Sequence, residues 1–179
     1  MKKFAFVVLL STTTLYCHAI DGHNGIKFEM TQQQLESIGF ICNPNTKKER
    51  EPIATCRHID MTGIAFGVPT RNYAVEIDSD NRVSSIRVDI GINSMADYIE
   101  LNTNISGFFP NNDEFETDSK QGSYIKNGWR ANNNAGIWFT YFSGVKGIVK
   151  DKFWLIFNSP SYMTKRDNHR AEVKNNKTQ

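Results

Sequence analysis

Catalytic signatures are missing from this sequence. It has no HExxH, no CxxC, no Walker-type phosphate loop, no GxGxxG and no GxSxG elbow. The metal, nucleotide and serine-hydrolase chemistries that need those spacings therefore have no visible seat. Long apolar runs are missing too. The longest, Phe4 to Leu10, is far shorter than the ~20 residues that span a bilayer, so no membrane span is expected. Cysteine is scarce at three and proline at five in 179 residues. A large charge of either sign is absent as well, with 21 basic against 19 acidic side chains. What remains, 39% hydrophobic and 22% charged, is the composition of a globular chain with enough apolar residues for one core.

The first nineteen residues stand apart. Lys2 and Lys3 give a positive start, Phe4 to Leu10 an apolar run, and Tyr16-Cys17-His18-Ala19 a short segment with small residues where a signal peptidase reads them. This predicts a signal peptide over 1–19 with cleavage after Ala19 and a periplasmic product. A lipid on Cys17 is disfavoured by bulky Tyr16. With Lys2 and Lys3 removed, basic and acidic residues balance at 19 each. The segment after Tyr162 carries Lys165, Arg166, Arg170, Lys174 and Lys177 against Asp167 and Glu172, which leaves the body slightly acidic. That is a poor match for phosphate neutralisation, and nucleic acid is not an expected partner. Once Cys17 leaves, Cys42 and Cys56 remain, and in an oxidising compartment they are expected to form a disulfide around the polar stretch between them.

The rest of the chain gives a helix and then strands, twice. Thr31 with Gln34 is a capping box, Met30 and Leu35 are placed as a hydrophobic staple, and Gly39 ends the short helix they open. Strands follow at 40–42, 54–58, 72–78 and 83–90; Tyr73, Val75 and Ile77, then Ile86, Val88 and Ile90, alternate with polar residues. Asp78 to Arg82 is turn chemistry, which makes the last two strands a hairpin. A second helix starts at Ser94 with Tyr98, Leu101, Ile105 and Phe108 on one stripe. The polar stretch 111–121 reads as a loop, and strands at 123–131, 135–142 and 152–157 come after it, with a turn at Ser143 and Gly144. The fold class is then α+β: antiparallel sheet with two helices packed on one face, one disulfide, and an order that leaves a helix-then-meander pseudo-repeat open. One domain is expected over 20–161, with a polar flexible tail over 162–179.

Gly25, Met30-Thr31, Leu35 and Gly39 resemble the opening of small envelope modules of the BamE/SmpA type and of beta-lactamase-inhibitor-protein-like domains. The resemblance covers only about fifteen residues. It implies a helical segment on an antiparallel sheet and a role in binding other proteins. The second helix-and-strand half departs from the single BamE-type module.

Candidate chemistry is thin. His58 and Asp60, two apart on a strand, form a candidate pair for a hydrolase, but no nucleophile motif joins them. Asp78, Asp80 and Asn81 echo a calcium loop that Arg82 and Val83 break. No metal site and no cofactor are expected. Aromatic residues are the unusual feature, with Trp129, Trp138 and Trp154 all in the second set of strands. Alternation puts Trp138, Thr140 and Phe142 on the face opposite Ile137, Phe139 and Tyr141, beside Trp154. A sheet apolar on both faces is either covered twice or offers one face to a partner, and large aromatics dominate such contacts. Trp138, Thr140, Phe142 and Trp154 are therefore the candidate binding residues. The expected function is a periplasmic protein-binding module: an inhibitor or immunity-type protein acting on an envelope-targeting enzyme or toxin, with an envelope-assembly accessory or a hydrolase as the alternatives.

Overall fold

The computed structural model describes residues 19–46, 52–92, 94–109, 112–118, 124–142 and 152–176. Of the expected export segment only Ala19 falls among them, and the turn expected at Ser143 and Gly144 lies outside them. Two short strands, β1 (Gly22–His23) and β2 (Ile26–Lys27), pair ahead of α1 (Gln32–Ser37). The capping box is formed: Thr31 Oγ1 accepts from the Gln34 amide, and Gln34 Oε1 accepts from the Thr31 amide. Next come β3 (Ile41–Pro44), β4 (Ala54–Ala65), β5 (Val68–Ile77), β6 (Val83–Ile90) and α2 (Met95–Phe108). The chain ends with β7 (Asn112–Asp118), β8 (Tyr124–Arg130), β9 (Gly136–Phe142), β10 (Lys152–Asn158) and α3 (Pro160–Asn176).

One eight-stranded antiparallel sheet has the order β3-β4-β5-β6-β10-β9-β8-β7. It consists of two four-stranded meanders, each preceded by a helix and joined where β6 pairs with β10. The expected α+β class with an antiparallel sheet holds. Cys42 faces Cys56 across β3 and β4 and is bonded to it.

Period-two alternation decides where the core lies. Cys42, Cys56, Val75, Ile86, Phe157, Ile137 and Trp129 are successive partners across seven strands and share one face. All but Cys42 are buried. On α2, Tyr98, Leu101 and Ile105 are buried, and the Tyr98 ring stacks on Phe139 at 4.2 Å between centroids. Leu35 of α1 belongs to the same hydrophobic cluster.

Three expectations need correction. First, β4 and β5 run far beyond 54–58 and 72–78. A register shift between His58 and Thr62 breaks the alternation, and the turn at Phe66 and Gly67 has φ of 50° and 85°. Two positive φ values make a tight hairpin turn, for which Phe is an unusual first residue. The Phe66 ring lies against Phe108, Phe109 and Phe157 at 5.9–6.5 Å, so packing offsets the backbone strain. Second, the polar stretch after α2 contains edge strand β7, formed by backbone pairing with β8 rather than by apolar alternation. Third, the tail is helical from Pro160 to Asn176. Its own sequence is polar, but Ser159 Oγ accepts from the Tyr162 amide at its start, and Met163 is fully buried. Asp167 receives Arg130 at 3.0 Å and Arg166 at 2.9 Å. Tertiary anchoring, not periodicity, holds this helix.

Three outcomes follow. Met163→Ala should lower unfolding stability by ~2–5 kcal/mol, the range for emptying a buried methionine site, as read by urea denaturation. Protein beginning at Ile20 should show no free thiol when denatured without reductant. Replacing both cysteines (Cys42→Ser with Cys56→Ser) should cost ~3 kcal/mol, as expected for a closed loop of this length. Two titratable thiols in the unsubstituted protein would contradict the bond.

Candidate functional site

The sheet face opposite the core carries the candidate residues, because alternation puts every second side chain there. One row of partners crosses seven of its eight strands, from β3 to β8: Ile41, Arg57, Ala74, Arg87, Ile156, Trp138 and Gly128. The next row is Asn43, Thr55, Glu76, Ser85, Asn158, Gly136 and Arg130. A third runs through Arg71, Asp89, Trp154, Thr140 and Lys126. All four expected residues are thus on one face. Trp138, Thr140 and Phe142 follow one another on β9, and Trp154 sits directly opposite Thr140 on β10.

They do not share one environment. Helix α3 lies over the β9 side of this face. A Cβ on Gly136 would come within 2.5 Å of the Met163 sulfur, so glycine is what lets the helix approach. Trp138 is only 8% exposed. The Tyr162 ring meets it edge-on at 5.7 Å, Lys126 Nζ stands 3.7 Å from its ring centroid, and the Arg166 guanidinium lies 5.5 Å away. Trp138 therefore serves as the seat of α3 rather than as open surface. Thr140 is buried as well. Phe142 and Trp154 are half-buried neighbours at 6.5 Å, with Arg87 5.8 Å above the Trp154 ring. Toward β3 the cover ends: Ile41 is 71% exposed and Arg57 is exposed.

At the border between covered and open face lies a cleft of about 320 Å³. Small residues on adjacent strands (Thr55, Ala74 and Ser85) form its floor; Arg57, Glu76 and Arg87 line it, and Ile156, Asn158, Trp138 and Tyr162 close it on the α3 side. Burial pushes the Glu76 carboxyl up from its usual range, and the Arg87 charge partly opposes that. Asn158 is fully buried, and both of its amide atoms lack a hydrogen-bond partner among the described residues; so do Trp138 Nε1 and Thr140 Oγ1. Sequence reasoning singled out none of Arg57, Glu76, Arg87 or Asn158. Strand alternation would have put the first three on the polar face, but only the β6–β10 pairing brings Asn158 beside Ser85.

The hydrolase candidates separate. His58 is packed edge-on against Phe40 at 5.3 Å, Asp60 is exposed in the irregular part of β4, and no hydrogen bond or ion pair joins them. Asp78 and Asp80 lie in the β5–β6 hairpin, where Asp78 Oδ1 accepts from the Asp80 and Arg82 amides. Among the described residues no group of His, Cys, Asp and Glu is placed to hold a metal ion. Nor is any helix among them long and apolar enough to cross a membrane. Compared with known proteins, the chain finds no match: no family model, no curated protein and no solved structure.

On the core side, His23 is stacked on Phe157 at 4.6 Å and faces Tyr73 at 5.7 Å. Its Nε2 lies 3.2 Å from the Tyr73 hydroxyl, which is itself 2.6 Å from Thr70 Oγ1. Burial lowers the His23 pKa from 6.5 to about 4. The folded state then holds this ring neutral where the unfolded chain protonates it. Its contribution to stability is complete above about pH 6.5 and is lost as pH falls toward 4, by about 3 kcal/mol. Denaturation midpoints between pH 7 and 4 should fall along this slope, and His23→Phe should flatten it.

Proposed function

We propose that this chain is an exported, periplasmic protein-binding module, an inhibitor or immunity-type protein that blocks an envelope-targeting enzyme or toxin. The observation that carries this reading is the half-covered sheet face. Helix α3 occupies the Trp138 side, while Ile41, Arg57, Arg87 and the half-buried Phe142 and Trp154 are left at the surface. The β4–β5 hairpin adds Ile59 and Ile64, 74% and 71% exposed. A rigid sheet presenting aromatic and arginine side chains beside exposed aliphatic ones has the composition of a protein contact, where Trp and Arg supply most of the binding energy. The helix-then-meander order fits the BamE/SmpA-type and beta-lactamase-inhibitor-protein-like modules that the residues from Gly25 to Gly39 resemble, and modules of those types work by binding other proteins.

Export rests on the charged-then-apolar segment ending at Ala19, and the Cys42–Cys56 bond is compatible with it. Ile20 is buried, and its amide and carbonyl are held by Asn133 of the β8–β9 turn.

The test is capture of envelope proteins from the host and from competing bacteria on protein beginning at Ile20, followed by reconstitution with the purified partner. The expected result is an equimolar complex with a hydrolase or toxin whose activity is abolished. Trp154→Ala should weaken that complex by ~2 kcal/mol or more, as for a hot-spot aromatic, by calorimetry. An assembly machine as the partner would replace the inhibitor reading with the accessory one. Failure to form any equimolar complex would remove both.

A further inference from the structure

We propose that the cleft beside the first turn of α3 is a binding site for a small zwitterion of the free amino acid class, its carboxylate held by Arg57 and Arg87 and its ammonium by Glu76, with the Asn158 amide completing the contacts. This goes beyond the protein-binding reading and does not rest on it: the probe is a free small molecule, and either idea can fail alone.

Size sets the first limit. About 320 Å³ is at the bottom of the ~300–1,000 Å³ range of ligand sites, which suits an amino acid and not a nucleotide. Charge sets the second. Arg57 and Arg87 flank Ala74 on the neighbouring strands, so two guanidinium groups border one depression whose centre bears only a methyl group. Paired guanidinium donors match a planar carboxylate. Glu76, one row away and facing Ser85, is the one carboxylate among the described residues that line the same cleft. It repels a doubly charged phosphate and attracts an amine. A ligand carrying both charges a few ångströms apart satisfies the two arginines and the glutamate together; a simple anion or a simple cation satisfies only one side.

Asn158 gives the independent sign that something polar belongs here. It lines the cleft, it is fully buried, and its Oδ1 and Nδ2 are both without a partner among the described residues. Leaving both ends of a buried amide unmade is expensive, and native proteins rarely do it without a reason. A zwitterion offers an acceptor to Nδ2 and a donor to Oδ1. The aromatic wall of Trp138 and Tyr162 supplies apolar cover for a short side chain.

The experiment titrates protein beginning at Ile20 with free L-amino acids and with their N-acetyl and carboxamide derivatives, following the Asn158 side-chain amide by NMR and heat by calorimetry. The expected result is saturable binding of at least one free amino acid that moves the Asn158 signal. Blocking either charge should weaken it about tenfold or more, the usual consequence of losing a charge-assisted bond. Arg57→Gln, Arg87→Gln and Glu76→Gln should each do the same, while Arg71→Gln, on the same face outside the cleft, should leave affinity unchanged. The arginines are exposed, so a near-UV spectrum equal to that of the unsubstituted protein separates lost binding from lost fold. The proposal is overturned by absence of saturation across the panel, by equal binding of blocked and free forms, or by full affinity in the Arg57→Gln and Arg87→Gln proteins.

Discussion

The pairing of β6 with β10 is the contact on which the other parts of the molecule depend. Five residue pairs, from Ser85 with Asn158 to Asp89 with Trp154, join two meanders that otherwise end in open edges. A four-stranded meander with one helix has little apolar area of its own to hide, and small units of that kind are marginal. Joining them puts Ile86 against Phe157 and Val88 against Leu155, and through these pairs the core of the first half runs into that of the second. The same seam builds the other face. Arg87 meets Ile156 there and Ser85 meets Asn158, so the cleft contains residues that lie some seventy positions apart in the chain.

Covering that second face unequally is what α3 does. A helix with so polar a sequence has no stripe to bury and would be marginal alone. It is held at its start, by Met163 against Gly136, Tyr162 against Trp138 and the Arg130–Asp167–Arg166 cluster, whereas the residues from Asn168 onward are exposed. The hydrogen bonds and charges of the two arginines outweigh burial at Asp167 and keep its carboxyl below the usual range. Lys126 is buried with its ammonium on the Trp138 ring, where the long alkyl stem adds apolar contact. The Trp138 side is thus sealed by cation and aromatic contacts, and the Arg57 side is left open.

How far the sequence could be read depended on whether each element signals itself locally. The capping box at Thr31, the α2 stripe and the alternating strands β6 and β9 carry their own periodicity and were legible, as was the cysteine pair. Strand β4 beyond His58 was not, because an irregular register erases the period of two. The Phe66–Gly67 turn was hidden because only the distant rings of Phe108, Phe109 and Phe157 make a positive φ tolerable at a phenylalanine. Strand β7 and helix α3 were missed for one shared reason: their stability comes from what they pair with or lie on, not from their own pattern. The site divides in the same way. Alternation assigned Trp138, Thr140, Phe142 and Trp154 to one face correctly, but it could not show that α3 covers Trp138, nor that the Asn158 side-chain amide has no hydrogen-bond partner among the described residues.

The edges of the sheet argue for the face as the place of recognition in the proposed function. A flat unpaired edge would recruit any strand and is usually blunted. Here β3 is four residues long, ends in Pro44 and is tied to β4 by the disulfide. At the other end, β7 has the sequence Asn112-Asp113-Glu114-Phe115-Glu116-Thr117-Asp118, whose four acidic residues give that edge a charge that disfavours pairing with an acidic strand. The half of β4 that outruns β3 is met by the turn after β1, where Asn24 donates to the Thr62 carbonyl. With its edges so guarded, the sheet offers side chains more readily than backbone. Specificity would then reside in the rows through Arg57, Arg87 and Trp154, where charge and ring geometry discriminate between partners and hydrogen-bonding main chain does not.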